Sequence, residues 1–403
     1  MLATMSSDYL LVDDDATLAR AAELFATAPW LALAVELNAT RSYRPRICLV
    51  QVNAGGALVA IDPLSFEGRR PDPLTAALAR APAGTPIIVH GGEYALAALW
   101  RELHVSFGRA APGASLVDTQ QAAVLLGLPA TGLRSLCAAT LGVALPPPHS
   151  VDWSQRPLAP GLVAHALADV AHLGALHDAL MLRIRAADLE DELALASTPP
   201  PPRPFVTPDT PDPRRYRRIE GASGLPPEGV HLLGALVRWR DLKAKELDVP
   251  PGRLLPNAQL VDLAHAPERA LQRLASMRFH SRLVHADLEA LRRVVALALA
   301  SEPGEDAGLE PPDRPAGAGP SPATPKKGPP TPQIKARISR LKAWRRSEAE
   351  ARGVGLQAVL PLVALEHLAY FPHTPLGDVP SFGRRRRERY AETIAALLAL
   401  GGR

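Results

Sequence analysis

The chain has 403 residues, 47% of them hydrophobic and 21% charged, with a formal net charge of +4. That apolar fraction excludes disorder along the whole length and can fill roughly two to four domain cores. No uncharged apolar stretch approaches the ~18 residues of a membrane span, and two cysteines, Cys48 and Cys137, leave no disulfide framework or cysteine zinc site. The N-terminal MLATMSSDYLLVDDD has no basic n-region, so no signal peptide is expected, and the protein is expected in the cytoplasm. Residues 1–200 hold 13 Arg, no Lys and 19 acids, whereas residues 201–403 hold 32 basic residues against 22 acids. A basic second half points to a polyanion partner, or to two ordinary domains that happen to differ in charge.

In chain order, three β-like runs come first: Leu31–Leu37, Arg46–Val52 and Ala57–Asp62, the last two joined by a hairpin-type turn at Asn53–Gly56. A strand at Pro86–His90 leads into a helix from Glu93 to Glu102, and a strand at Ser115–Asp118 into helical periodicity at Gln120–Leu126 and Leu133–Leu141. Gly161–Ile184 reads as one long amphipathic helix. A meander followed by strand–helix alternation predicts an α/β domain with a mixed five-stranded sheet over residues 1–196. Residues 197–213 carry eight prolines in 17 positions and read as a stiff linker. Residues 301–332, rich in Pro, Gly and Ala, read as a disordered linker.

The blocks between and after them, 214–300 and 333–403, are helical and related. At an offset of 105 residues, Trp239-Arg240 falls on Trp344-Arg345, Leu255-Pro256 on Leu360-Pro361 and Pro267 on Pro372. Leu236, Val249, Leu260 and Leu263 fall on Leu341, Val354, Leu365 and Leu368. A single ungapped offset with so many matches marks a duplicated helical module.

The first block resembles ribonuclease D, a 3′→5′ exoribonuclease family of the four-carboxylate (DEDD) superfamily with a ribonuclease-H-like fold. The resemblance spans about residues 8–196 and rests on Ser42–Val52 (SYRPRICLVQV), Ile61–Leu64 (IDPL), Val117–Ala123 (VDTQQAA), Asp152–Leu158 (DWSQRPL) and His165–Leu173 (HALADVAHL). Both helical modules resemble the HRDC domain, the nucleic-acid-binding bundle that follows the exonuclease domain in that family. The resemblance implies two divalent ions, Mg²⁺ or Mn²⁺, held by four carboxylates, because hard cations take oxygen ligands.

Mapped onto that pattern, this chain departs from it. Ala34 and Ala95 stand where the family has two of its acids, while Glu36 and Asp169 remain, and His165 replaces a tyrosine that positions the attacking water. The expected remnant site is therefore Glu36, Asp169 and His165, with no metal expected and, if any is held, Glu36 and Asp169 as its ligands. Glu93 lies about 200° around the helix from Ala95 and reaches the site only through a distorted backbone, as the rearranged-site alternative below would require of it. His165, Asp169 and His172 share one face of the predicted helix, which reads either as a zinc or manganese site or as two imidazoles in place of aromatic rings. Asp118 reads as a strand-end structural residue rather than a ligand.

Arg41, Arg44 and Arg46 either line a nucleic-acid entrance or solvate a hairpin, and Arg156 either meets a backbone phosphate or forms a buried ion pair. Basic runs in the modules place Arg215, Arg217, Arg218, Arg240, Lys243, Arg345, Arg346, Arg384, Arg385 and Arg386 as phosphate contacts. Trp239 and Trp344 read as core anchors more than as stacking platforms. The expectation is an RNA-binding pseudo-exonuclease that acts on structured RNA or 3′ ends without a cofactor. Two alternatives stay open: an active exoribonuclease with a rearranged site using Mg²⁺ or Mn²⁺, or a non-catalytic partner of an active ribonuclease D paralogue or another RNA-processing protein.

Overall fold

A computed structural model describes residues 9–38, 42–43, 45–66, 76, 84–105, 115–147, 151–198, 216, 219–301 and 329–399. The chain divides into two units, one comprising Met1–Leu37, Ile47–Arg203 and Thr324–Arg403, the other Asn38–Arg46 and Pro204–Ala323.

The first unit is built on strands β1 (Leu10–Val12), β2 (Leu31–Leu37), β3 (Ile47–Ala54), β4 (Ala57–Ile61), β5 (Pro86–Val89) and β6 (Ser115–Asp118). With them go helices α1 (Asp15–Thr27), α2 (Glu93–Leu103), α3 (Thr119–Leu125), α4 (Leu133–Leu141), α5 (Pro160–Ala171), α6 (Leu173–Ala186) and α7 (Glu190–Ser197). The sheet order is β1-β4-β3-β2-β5-β6. Strand β3 is buried along its whole length and pairs antiparallel with β2 and β4, as an apolar run buried on both faces should. The β3–β4 turn needs two residues at positive φ and finds them in Gly55 (+59°) and Gly56 (+113°). The other pairings are parallel, so the sheet is mixed.

Two sequence expectations need correction. The sheet has six strands rather than five, because Leu10–Val12 adds an edge strand beside β4. Three residues are too few to display a period of two, so the sequence hides it. The predicted long helix is two helices, broken at His172 (φ −108°, ψ 2°). The cause sits in β3: Asn53 Nδ2 donates to the carbonyls of Val170 (3.1 Å) and Ala171 (3.2 Å), acceptors that an unbroken helix would use itself.

One face of the sheet (Leu31, Leu33, Val50, Val52, Ile87) packs on α1 and α2 through Leu18, Phe25, Leu96 and Leu99. The opposite face (Ala32, Leu49, Ala60, Ile88) packs on α5 and α6. Behind α3, α6 and α7 that second core continues into the C-terminal helices, numbered below.

The second unit contains α8 (Pro227–Glu246), α9 (Pro251–Leu254), α10 (Asn257–His265), α11 (Ala270–Ser276) and α12 (His285–Ala300). In the first unit, the C-terminal module contains α13 (Pro332–Arg352), α14 (Leu356–Val359), α15 (Leu362–Tyr370) and α16 (Arg384–Ala399). Helices α9 and α10 map onto α14 and α15 end for end at the 105-residue offset, and α8 and α13 start at equivalent prolines. The duplication seen in the sequence is a duplication of structure.

The C-terminal module completes the core of the α/β domain. Leu341, Val354, Leu360, Leu365, Phe382, Tyr390 and Ile394 lie in one apolar cluster with Leu125, Leu136, Leu176, Leu180, Ile184 and Leu193. Gly355 N donates to Leu125 O at 2.7 Å, and a side chain at Gly355 would run into the backbone oxygens of Val124 and Leu125. Gly355→Ala is therefore expected to cost about 1–3 kcal/mol in urea unfolding. Gly252→Ala, where a Cβ meets nothing within 4 Å, is expected to be neutral or slightly stabilising.

Candidate active-site cleft and nucleic-acid contacts

Strands β2 and β5 run parallel, so the end of β2 and the start of α2 lie at the same edge of the sheet. Ala34 and Glu36 share a strand face with Ala32, whose cross-strand neighbour Asn53 reaches α5. Both residues consequently face α5, which carries His165 and Asp169 one turn apart. Burial, and next the charge of Asp169, push the Glu36 carboxyl up to about 7. Asp169 keeps solvent access, yet the protein around it still raises its carboxyl above the aspartate range. Burial, and then Asp169, also raise the Cys137 thiol beneath. His165 is half-buried, whereas His172 lies at the helix break, so the two no longer sit on one continuous helix face with Asp169. Ala95 occupies the first turn of α2, and Glu93 at its start is exposed.

Asp118 is a backbone anchor. Its carboxylate accepts from Gly91 N, Gly92 N and Gln120 N, each at 2.9 Å, and so fastens the start of α2 and of α3 to the end of β6. Sequence reasoning passed over Gln51, which is directly opposite Ala34 in the β2–β3 pairing and fully buried. Its amide has no hydrogen-bond partner among the described residues. The available signal was one long polar side chain inside the apolar run ICLVQV.

A family model described as 3′-5′ exonuclease matches residues 9–185, and an HRDC-domain model matches residues 231–295. The ribonuclease D of Pseudomonas paraeruginosa is 30% identical over 397 residues, covering 96% of each chain. The chain belongs to the ribonuclease D family. The ribonuclease D of Gluconacetobacter diazotrophicus is 31% identical over 281 residues, 68% of this chain and 67% of that one. A crystal structure of Escherichia coli RNase D, described as an exoribonuclease involved in structured RNA processing, superposes over 99% of this chain and 100% of its own. Its TM-score is 0.65 at 22% identity, a likeness of fold. The α/β ribonuclease-H-like domain followed by helical HRDC structure is thus established.

Exonucleases of this superfamily work with divalent metals, and ribonuclease D resemblance asks for four carboxylates around two ions. Two positions here offer methyl groups, Ala34 and Ala95, and a methyl has no donor atom. Among the described residues no three His, Cys, Asp or Glu gather to hold an ion. The residues present do not fit a two-metal centre.

The basic residues fall into three groups. Arg41, Arg44, Arg215, Arg217 and Arg218 lie outside the described residues. A second group has partners within the fold, and for the buried Arg240, Arg345 and Arg386 this corrects the expectation that they meet phosphate, whereas Arg384 and Arg385 are paired at the surface. Arg156 forms an ion pair with Asp62 (Nε–Oδ2 2.5 Å, Nη2–Oδ1 2.6 Å) and donates to the carbonyls of Trp153 and Cys48. Arg240, Arg345 and Arg386 are 7%, 8% and 2% exposed, too little to reach a phosphate. They donate to the carbonyls of Leu255, Leu356 and, from Arg386, Ala358, Gln357 and Ser381. Burial pushes the Arg386 guanidinium down to about 10. Lys243 bridges Asp287 (2.8 Å) and Glu246 (2.5 Å). Arg385 and Arg389 both meet Asp188, and Arg384 meets Asp191, so the α16 run docks on the acidic turn after α6. Arg346 is exposed and forms no ion pair among the described residues, and Arg46 is exposed as well. Trp239 is buried, and the Trp344 ring packs edge-on against Tyr390 at 5.2 Å, as core anchors should.

The raised Glu36 carboxyl has a consequence for stability. Below pH 4.5 folded and unfolded chains both hold that proton. Between there and pH 7 the unfolded chain releases it first, so stability falls as pH rises through this window. Glu36→Gln is expected to match the parent at pH 4 and exceed it by about 2 kcal/mol at pH 8 in chemical denaturation.

Proposed function

We propose that this ribonuclease D family member is a catalytically retired exonuclease that binds RNA. It would act in the cytoplasm, on structured RNA or RNA 3′ ends, with its basic C-terminal half supplying most of the affinity. The reading is carried by the methyl of Ala34 on the strand face beside Glu36, where the family resemblance calls for a metal-bridging acid. With Ala95 also lacking an oxygen, the cleft keeps two carboxylates, and a displacement at phosphorus has no second ion to hold the leaving oxygen. RNA as the ligand is supported by the relatives' name and by the net positive charge of residues 201–403. The pair Glu36 and Asp169 supports a second reading, an exoribonuclease with a rebuilt site.

Removing residues 201–403 to locate binding would strip Val354, Leu360 and Tyr390 from the core of the remaining domain, so the test belongs on the full chain. A 3′-tailed RNA hairpin is incubated with the protein in Mg²⁺ and then in Mn²⁺, with binding followed by anisotropy. The same series is run on Glu36→Ala/Asp169→Ala. Binding with no trimming above the double variant is expected. Trimming that the double variant abolishes would overturn the retired-enzyme reading. Absence of binding would redirect the search to protein partners.

A further inference from the structure

We propose that the outer face of α13 is the RNA-backbone contact of the C-terminal module, made by Lys335, Lys342 and Arg346. This rests on the RNA-binding reading above and names where that binding occurs. At 100° and 1.5 Å per residue, the three fall within about 40° of one another and span about 16 Å along the helix. All three are exposed, and none makes an ion pair or side-chain hydrogen bond among the described residues. The inner face of the same helix buries Leu341, Arg345 and Ala349, so the stripe points away from the core.

Lys342 and Arg346 are four apart, where like charges on a helix repel. Neither forms an ion pair with a described acid, and the one acid near them on this face, Glu350, lies a turn beyond Arg346. This sets them apart from Arg384, Arg385 and Arg389, which have found Asp188 and Asp191.

Comparison of the two copies sharpens the point. At the 105-residue offset, Lys335, Ser339, Lys342 and Arg346 correspond to Val230, Gly234, Val237 and Asp241 of α8. In that copy the face is covered: Val237 is buried, Gly234 lies against the Tyr216 ring, and Asp241 accepts from the Tyr43 hydroxyl at 2.6 Å. The same face carries no cation and is covered in the first module, and is cationic and exposed in the second.

The chemistry of the stripe selects the partner. Its neighbours on the exposed face are the small residues Ala336, Ser339, Ala343 and Ser347, with Glu350 at its C-terminal end. A protein interface needs apolar or aromatic anchors, which are absent from this face. A phosphodiester backbone needs only a row of cations with room for close approach, and gives affinity without sequence preference.

The test uses the full chain and a 3′-tailed RNA hairpin, with anisotropy titrations from 50 to 200 mM KCl. Lys335→Gln/Lys342→Gln/Arg346→Gln is compared with the parent and with Arg253→Gln/Arg278→Gln/Arg293→Gln, which removes three exposed charges from the other module. The stripe variant is expected to lose at least tenfold in affinity and to flatten the log K against log salt slope by about two to three, with an unchanged melting temperature. The other triple is expected to change both much less. A parent that binds RNA while the stripe variant binds equally overturns this assignment and leaves the RNA-binding reading standing. Equal losses from both triples also overturn it, because net charge alone then accounts for the effect. A parent that fails to bind RNA overturns both.

Discussion

The architecture depends on one backbone contact, the hydrogen bond from Gly355 N to Leu125 O, and on the apolar core that closes around it. Glycine is required there because the carbonyls of Val124 and Leu125 occupy the space a side chain would take. The equivalent position in the first module is Pro250, which has no N–H to donate. The two duplicates therefore differ at the position that makes this contact. The acidic turn of Asp188 and Asp191 then adds its ion pairs to α16 around a contact already made by packing. These pairs are exposed, so they orient the module more than they hold it.

Arginine serves two purposes in these bundles, and a linear run of basic letters does not separate them. Arg386 lies two residues from Arg384, about 200° around the same helix, which carries it from solvent to the interior. Its planar fork satisfies three carbonyls at the ends of neighbouring short segments, work that a lysine's point charge would do poorly. Arg240 and Arg345 are the same structural residue in both copies, each tying a long helix to a carbonyl of the segment after it. Their repetition at the 105-residue offset marks a requirement of the bundle, although the basic runs that contain them read as phosphate contacts.

What could be foreseen followed from local pattern. The apolar runs of β2 to β6, the two-glycine turn and the ends of α2, α3 and α4 are all written within a few residues of where they act. What escaped depends on partners far along the chain. The helix break at His172 is caused by Asn53, 117 residues from Val170, and Arg156 finds Asp62 across 94 residues. The edge strand β1 was missed because three residues carry no period. Glu36 and Asp169 were reachable only through family resemblance, since nothing in LALAVEL or HALADVAHL says that these two carboxyls come near each other. That Glu36 responds to the charge of Asp169 is a property of the folded sheet and helix together.

The shared core also sets an order of events during synthesis. Strands β1 to β6 and the helices over them are complete by residue 197, yet Val354, Leu360, Tyr390 and Ile394 are needed to cover Leu125, Leu180 and Ile184. A nascent chain that has emerged only as far as the first helical module therefore displays an uncovered apolar surface along α3 and α6. Contacts between residues so distant in sequence are late and slow to form, and such exposed surface is what chaperones bind. The α/β domain begins first on the ribosome and finishes last.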